Sequence, residues 1–274
     1  MFRVVFVFLL SFSPMLLASV EFVPLQERAE GQSLTGASLQ NDSLYSNPAS
    51  GAFQNVYSLD GTYLLSKGFA VSVLDTKTSA VGGALGYFRL PIQGTEQTTQ
   101  GVKVSLCNKY SENVAVGISG KMIWSPNVLE TGKDRTVERL TDMDIGVLSH
   151  FGVLEVGTTL KNAIFGDKKV LDTYREFALG GRINWNQLLF FSATAISKLS
   201  EIKPYQYGFG AEFITPYYFS IKGGYRFLTE GANPSFWSAG ASFISPKFNV
   251  HYAVEFPNQA EATTEHILGI TVFL

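Results

Sequence analysis

Charge and cysteine are what this sequence has least of. Only 16% of its 274 residues are charged, where an ordinary soluble domain carries about 25%. The formal net charge is -2, so neither sign accumulates enough to attract nucleic acid, and no such partner is expected. A single cysteine, Cys107, excludes a disulfide framework and a thiolate metal centre, and it is expected to be a buried thiol. The three histidines, His150, His251 and His266, fall in separate segments without a nucleophile setting. No phosphate-binding, dinucleotide-binding or metal-ligand spacing occurs, so no enzymatic activity, metal or cofactor is expected. Helical periodicity is sustained nowhere. Beyond the first eighteen residues no apolar run is long enough for a membrane helix.

Three regions differ in character. Met1, Phe2 and Arg3 give a short basic start, Val4 to Leu17 is apolar, and Ala18-Ser19 is a small-residue exit, so residues 1–18 read as a secretory signal peptide. Residues 19–54 carry Glu21, Glu27, Arg28, Glu30 and many small polar residues without alternation. Such a stretch is either disordered or a plug inside something larger. From residue 55 to 274 the chain becomes short alternating segments divided by Gly, Pro, Asn and Asp. Phe219, Ile221, Gly223, Tyr225 and Phe227 against Ser220, Lys222, Gly224 and Arg226 is a clear case. Together with 22 Phe and 12 Tyr, this is β-sheet chemistry.

About fourteen such segments can be counted, near residues 55–65, 68–75, 79–89, 101–108, 113–124, 139–150, 153–161, 174–185, 188–198, 205–214, 217–228, 235–244, 247–256 and 265–274. A soluble sandwich with its apolar faces inward would give the same alternation. The links discriminate, because long ones such as 125–138 and 162–173 alternate with short ones such as 151–152 and 186–187. That sorting is expected of extracellular loops against periplasmic turns. The expected fold is therefore an all-β, transmembrane antiparallel barrel of the bacterial outer membrane, with lipid as its outer partner. Trp124, Trp185, Tyr205, Tyr217 and Trp237 fall near strand ends, where interfacial aromatic girdles sit. Asp142, Asp144, Arg182, Glu212, Lys222 and Arg226 are on the inward, polar parity with mixed signs, so they are expected to pair across the lumen and brace it; the alternative is that some of them hold the N-terminal segment in place.

The stretch Asn47-Pro48-Ala49, placed just before the first strand, resembles the N-terminal segment of the FadL family of outer-membrane channels for hydrophobic compounds. Val156 to Asn162 looks like that family's mid-barrel strand and turn, and Gly269, Val272 and Leu274 resemble the C-terminal insertion signal of outer-membrane barrels. The resemblance implies that residues 19–54 form a lumen hatch, that a small hydrophobic compound is the ligand, and that transport is passive. It also implies a lateral opening at the third strand, where Gly82, Gly83 and Gly86 lie. The loops here are shorter than the capture region of the fatty-acid transporters, which weighs against a fatty acid. The resemblance extends to compact barrels of type IX secretion, so the alternative is a non-transporting docking barrel for a secreted or surface protein.

Overall fold

The structure, a computed structural model, describes residues 21–34, 38–92, 97–126, 137–164, 173–201, 203–229, 235–258 and 263–274. The expected signal peptide lies outside these residues, as does most of the 125–138 link.

Alternation becomes strand throughout. The fourteen strands are β1 (Tyr57–Leu64), β2 (Gly68–Asp75), β3 (Gly82–Pro91), β4 (Thr98–Lys109), β5 (Val114–Pro126), β6 (Val137–Phe151) and β7 (Leu154–Lys161). They continue as β8 (Glu176–Trp185), β9 (Leu189–Lys198), β10 (Gln206–Ile214), β11 (Phe219–Leu228), β12 (Ser235–Ile244), β13 (Phe248–Pro257) and β14 (Glu265–Phe273). Each is antiparallel to its chain neighbours, and β14 closes on β1 with a register running from Ser58↔Phe273 to Leu64↔Ile267. Closure removes both sheet edges, so backbone groups facing the bilayer are paired within the ladder.

The two faces of this sheet are inverted relative to a soluble barrel. Leu85, Val104, Leu106, Ile118, Met122, Leu179 and Ile270 are exposed on the outside, while Lys103, Ser105, Ser119, Lys121 and Asp144 are buried inside. An outer surface so apolar has lipid as its solvent, and the barrel is of the bacterial outer-membrane type. Trp185, Tyr217 and Trp237 are exposed near strand ends, as girdle aromatics would be. Tyr205 departs from that expectation, since its hydroxyl donates to Glu176 Oε1 at 2.8 Å.

The sorting of links holds with one departure. The β6–β7 and β8–β9 connections, residues 152–153 and 186–188, are tight, whereas residues 162–175 join β7 to β8. The first two connections are reversed in size: residues 65–67 join β1 to β2 on the long-loop side, and residues 76–81 join β2 to β3 on the short-turn side.

The inward face is not uniformly polar. Leu64, Phe88, Leu90, Ile123, Leu140 and Ile267 point into the long-loop half of the lumen and form one apolar cluster with Phe22, Leu25, Leu44 and Tyr45 of the N-terminal segment. Alternation fixes which parity faces inward but not whether the inward residue meets water or another part of the chain, and here it meets the chain.

The lipid face yields a depth-dependent prediction. Val104, outward and midway along β4, replaced by Arg should destabilise the barrel by about 2–4 kcal/mol, whereas Tyr110→Arg in the adjoining turn should cost only about 0–1 kcal/mol. Equilibrium urea unfolding in lipid vesicles measures both.

Candidate functional site

Residues 21–34 and 38–54 lie against the inner wall, and their local structure follows from a few residues. A short helix, α1 (Leu25–Ala29), begins after Pro24, whose carbonyl accepts from the Arg28 N–H at 3.0 Å. Gly31 reverses the chain at φ +66, and a Cβ there would stand 2.6 Å from the backbone nitrogen of Tyr225, so only glycine meets both demands. Two 3₁₀ turns follow, at Gln40–Leu44 and Pro48–Phe53. Asn47 caps the second, its Oδ1 accepting from the Ala49 N–H at 3.0 Å, and Pro48 occupies the first helical position, where a missing N–H costs nothing.

Glycines on the inward parity of the wall receive this segment. Gly117 and Gly146 pair across β5 and β6. A Cβ on Gly146 would lie 2.1 Å from Asn47 Oδ1, and one on Gly117 would lie 2.4 Å from the carbonyl carbon of Pro48. Asn47, Pro48 and Ala49 therefore seat in a notch that any larger residue would fill. From there Asn47 Nδ2 donates to the carbonyls of Val147 (3.2 Å) and Thr158 (3.4 Å), a register pair of β6 and β7. A second notch lies across the lumen, where Gly210 and Gly224 pair between β10 and β11 and, with Gly208, leave room for Glu30, Gly31 and Gln32.

The charged residues of the wall resolve into separate groups, each tied to the segment. Asp144 accepts Lys103 at 2.5 Å and Lys121 at 2.9 Å, and Lys121 also pairs with Glu21. Glu212 accepts Arg182 at 2.6 Å and Lys222 at 2.9 Å, and Lys222 holds Glu30 at 2.8 Å. Glu255 lies 2.9 Å from Arg28 and 3.7 Å from Arg226. Asp142 accepts from the backbone N–H of Ile164 at 2.9 Å. Burying such charges is costly unless each is paired. Lys121 and Lys222 each hold one carboxylate of the wall, Asp144 or Glu212, and one that the segment supplies, Glu21 or Glu30.

Neutral contacts complete the seating. Asn41 links β1 and β2, accepting from Ser58 at 2.6 Å and donating to Ser72 at 3.0 Å. Thr194 donates to the Ser33 carbonyl at 2.7 Å, and Gln206 donates to Gln32 at 2.9 Å. One group fits poorly. Burial lifts the Asp42 carboxyl well above the ordinary carboxylate range, with neighbouring Asp60 and Glu27 adding to the effect, and its Oδ2 has no hydrogen-bond partner.

The third strand does not open the wall. Its pairing is continuous from Asp75↔Gly83 to Phe69↔Arg89 on the β2 side and from Gly82↔Cys107 to Pro91↔Thr98 on the β4 side. Gly86 faces inward and admits Tyr45, whose Oη would stand 2.3 Å from an added Cβ. Gly82 makes room for Thr76 and Cys107, and Gly83 faces outward. No break in strand pairing marks the opening that the family resemblance implies at these glycines.

Open space remains at the short-turn end of the lumen. A cavity of about 190 Å³ lies between Gln26, Leu39 and Gln40 of the segment and the inner faces of β8 to β13. The two histidines on the inward parity are not brought together: His150 packs against Phe53 with ring centroids 4.0 Å apart and planes tilted by 40°, while His251 lines this cavity.

Two predictions follow from the seating. Gly146→Val should unseat the Asn47 turn while leaving strand pairing intact, read as loss of hydrogen-exchange protection at Ala49 and Ser50 without loss of heat-modifiable migration on gels. Asp42, with its carboxyl raised in the folded state, favours the seated segment while protonated and loses that contribution as pH rises. Asp42→Asn should therefore increase amide protection over residues 41–46 at about pH 8, with the gain shrinking toward about pH 4 as the native carboxyl protonates.

No known protein family matches the sequence, and no curated protein does. Solved structures do. The CymD monoaromatic hydrocarbon channel aligns with a TM-score of 0.69 at 10% identity, covering 93% of this chain and 98% of that one. The Pseudomonas putida toluene transporter TodX aligns at 0.59 and 10% identity, covering 92% and 98%. A Pseudomonas aeruginosa FadL homologue aligns at 0.55 and 11% identity, covering 89% and 97%. At such identities the likeness is one of fold, and the chain shares the fold of the FadL-like outer-membrane β-barrels.

Proposed function

We propose that this barrel is a channel for the passive passage of small hydrophobic compounds across the outer membrane, with the N-terminal segment as its hatch. The observation that carries the reading is how the segment is held. It adds no strand to the barrel ladder and is fastened by side chains, with ion pairs at Glu21 and Glu30, the Asn47 turn in a glycine notch, and an apolar contact through Phe22 and Tyr45. Contacts of this kind release one at a time. The wall glycines and serines beneath the segment would then line an open lumen. CymD, a monoaromatic hydrocarbon channel, and TodX, a toluene transporter, support the same reading by analogy of fold.

An opening at the third strand forms no part of the proposal. Passage runs along the lumen past the displaced segment, toward the cavity at the short-turn end.

Deleting residues 26–52 tests the hatch. The barrel's stability resides in its closed ladder and its lipid-facing side chains. The deletion is therefore expected to retain heat-modifiable migration, raise conductance in planar bilayers, and speed entry of toluene into proteoliposomes. Unchanged conductance and uptake would remove the hatch and leave a docking barrel as the better reading.

A further inference from the structure

The cavity at the short-turn end has a composition that a passage alone does not require. Its apolar wall is Leu39, Phe190, Ile214 and Ile244, and its polar wall includes Arg182 and His251. Both polar residues are more than nine-tenths buried, with 6% and 4% of their surface exposed. Each keeps a nitrogen without a partner, Nε of Arg182 and Nε2 of His251. Buried polar atoms of this kind are uncommon in folded proteins, because each forgoes its bonds to water for nothing in return. The Arg182 guanidinium lies 4.1 Å over the Phe190 ring, so the His251 nitrogen is the one that a ligand in the cavity would complete.

Size and charge narrow the ligand. A cavity of about 190 Å³ exceeds the roughly 150 Å³ known to hold a benzene molecule, so one ring with one or two substituents fits. The charges around it cancel: Arg182 and Lys222 are matched by Glu212 and Glu30 at 2.6 to 2.9 Å. No surplus charge is left to hold an ion. The imidazole specifies the remaining group. His251 Nδ1 lies 2.8 Å from Ser242 Oγ. If Nδ1 donates there, Nε2 is an acceptor; if Nδ1 accepts, Nε2 is a donor. A hydroxyl answers either state, since it both donates and accepts, whereas a hydrocarbon answers neither.

We infer that this cavity is a binding site for a small neutral alcohol or phenol, one ring in size, with its hydroxyl on His251 Nε2 and its ring against Phe190, Ile214 and Ile244. The inference goes beyond the channel reading, because a barrel that transports nothing could hold such a ligand.

The full chain in lipid nanodiscs, ¹⁵N-labelled at histidine and ¹³C-labelled at isoleucine methyls, provides the test. Phenol should shift His251 Nε2 and the Ile214 and Ile244 methyls saturably. Toluene, of the same size but without a hydroxyl, should bind roughly three- to tenfold more weakly, the effect of one lost hydrogen bond. Benzoate should leave all three signals unmoved. His251→Phe, read from the Ile244 methyl, should abolish the preference for phenol over toluene. Ile214→Trp, which fills the cavity, should abolish binding of both, with heat-modifiable migration confirming that each variant is folded. The inference is overturned if phenol gives no saturable shift, if benzoate or toluene matches it, or if the shift survives Ile214→Trp. Phenol entry into proteoliposomes, measured separately, keeps the two readings apart: entry without a saturable shift overturns the site alone, and a saturable shift without entry supports the site and counts against the channel.

Discussion

A chain that crosses a bilayer as strands has no water with which to satisfy its backbone, so every strand must pair on both sides. Closure between β1 and β14 meets that demand here, and much else follows. An unbroken ladder commits one parity of each strand to lipid and the other to an enclosed lumen. Val104 and Lys103 are neighbours in sequence and inhabit opposite solvents. The scarcity of charge in the composition has the same origin, since close to half of the strand residues face hydrocarbon.

Enclosure creates a second problem inside. A ring of fourteen strands is too wide for its own inward side chains to fill, and residues 21–34 and 38–54 pack against its inner wall. The wall is shaped for them. Glycines pair where main chain approaches, at Gly117 with Gly146 and at Gly210 with Gly224, and lysines stand where the segment brings carboxylates. Such ion pairs are weak evidence for stability, because desolvation consumes most of their attraction. They are strong determinants of register, since a segment displaced by one residue would leave buried charges unmatched.

Much of the barrel was legible in the sequence because period-two alternation is local. The segments read at 68–75 and 235–244 coincide with β2 and β12. The inward parity of Lys121, Asp144, Arg182 and Glu212 was equally plain. Their partners were not. Glu21 and Glu30 lie in a stretch without periodicity, and their ion pairs span 100 and 192 residues, a separation that no local pattern encodes. Phe88 and Ile123 meet apolar groups of the segment inside the lumen, which parity does not reveal, since it gives direction and not surroundings. A usable clue was present in Gly117, Gly146, Gly210 and Gly224. Glycine weakens a strand interior, and its recurrence on one parity marks where another backbone comes close.

The way the segment divides its contacts also bears on how the barrel is assembled. Its two 3₁₀ turns touch β1 to β6, near in sequence, whereas α1 touches β11 to β14 at the far end of the chain. Pairing β1 with β14 directly means closing a loop of more than two hundred residues, with an entropic cost that grows with the logarithm of its length. Once the turns have seated on the first six strands, α1 is already tethered beside the vacant edge of β1. The last strands then meet a preformed surface as well as a distant edge, and the lumen segment becomes a former around which the seam is drawn shut.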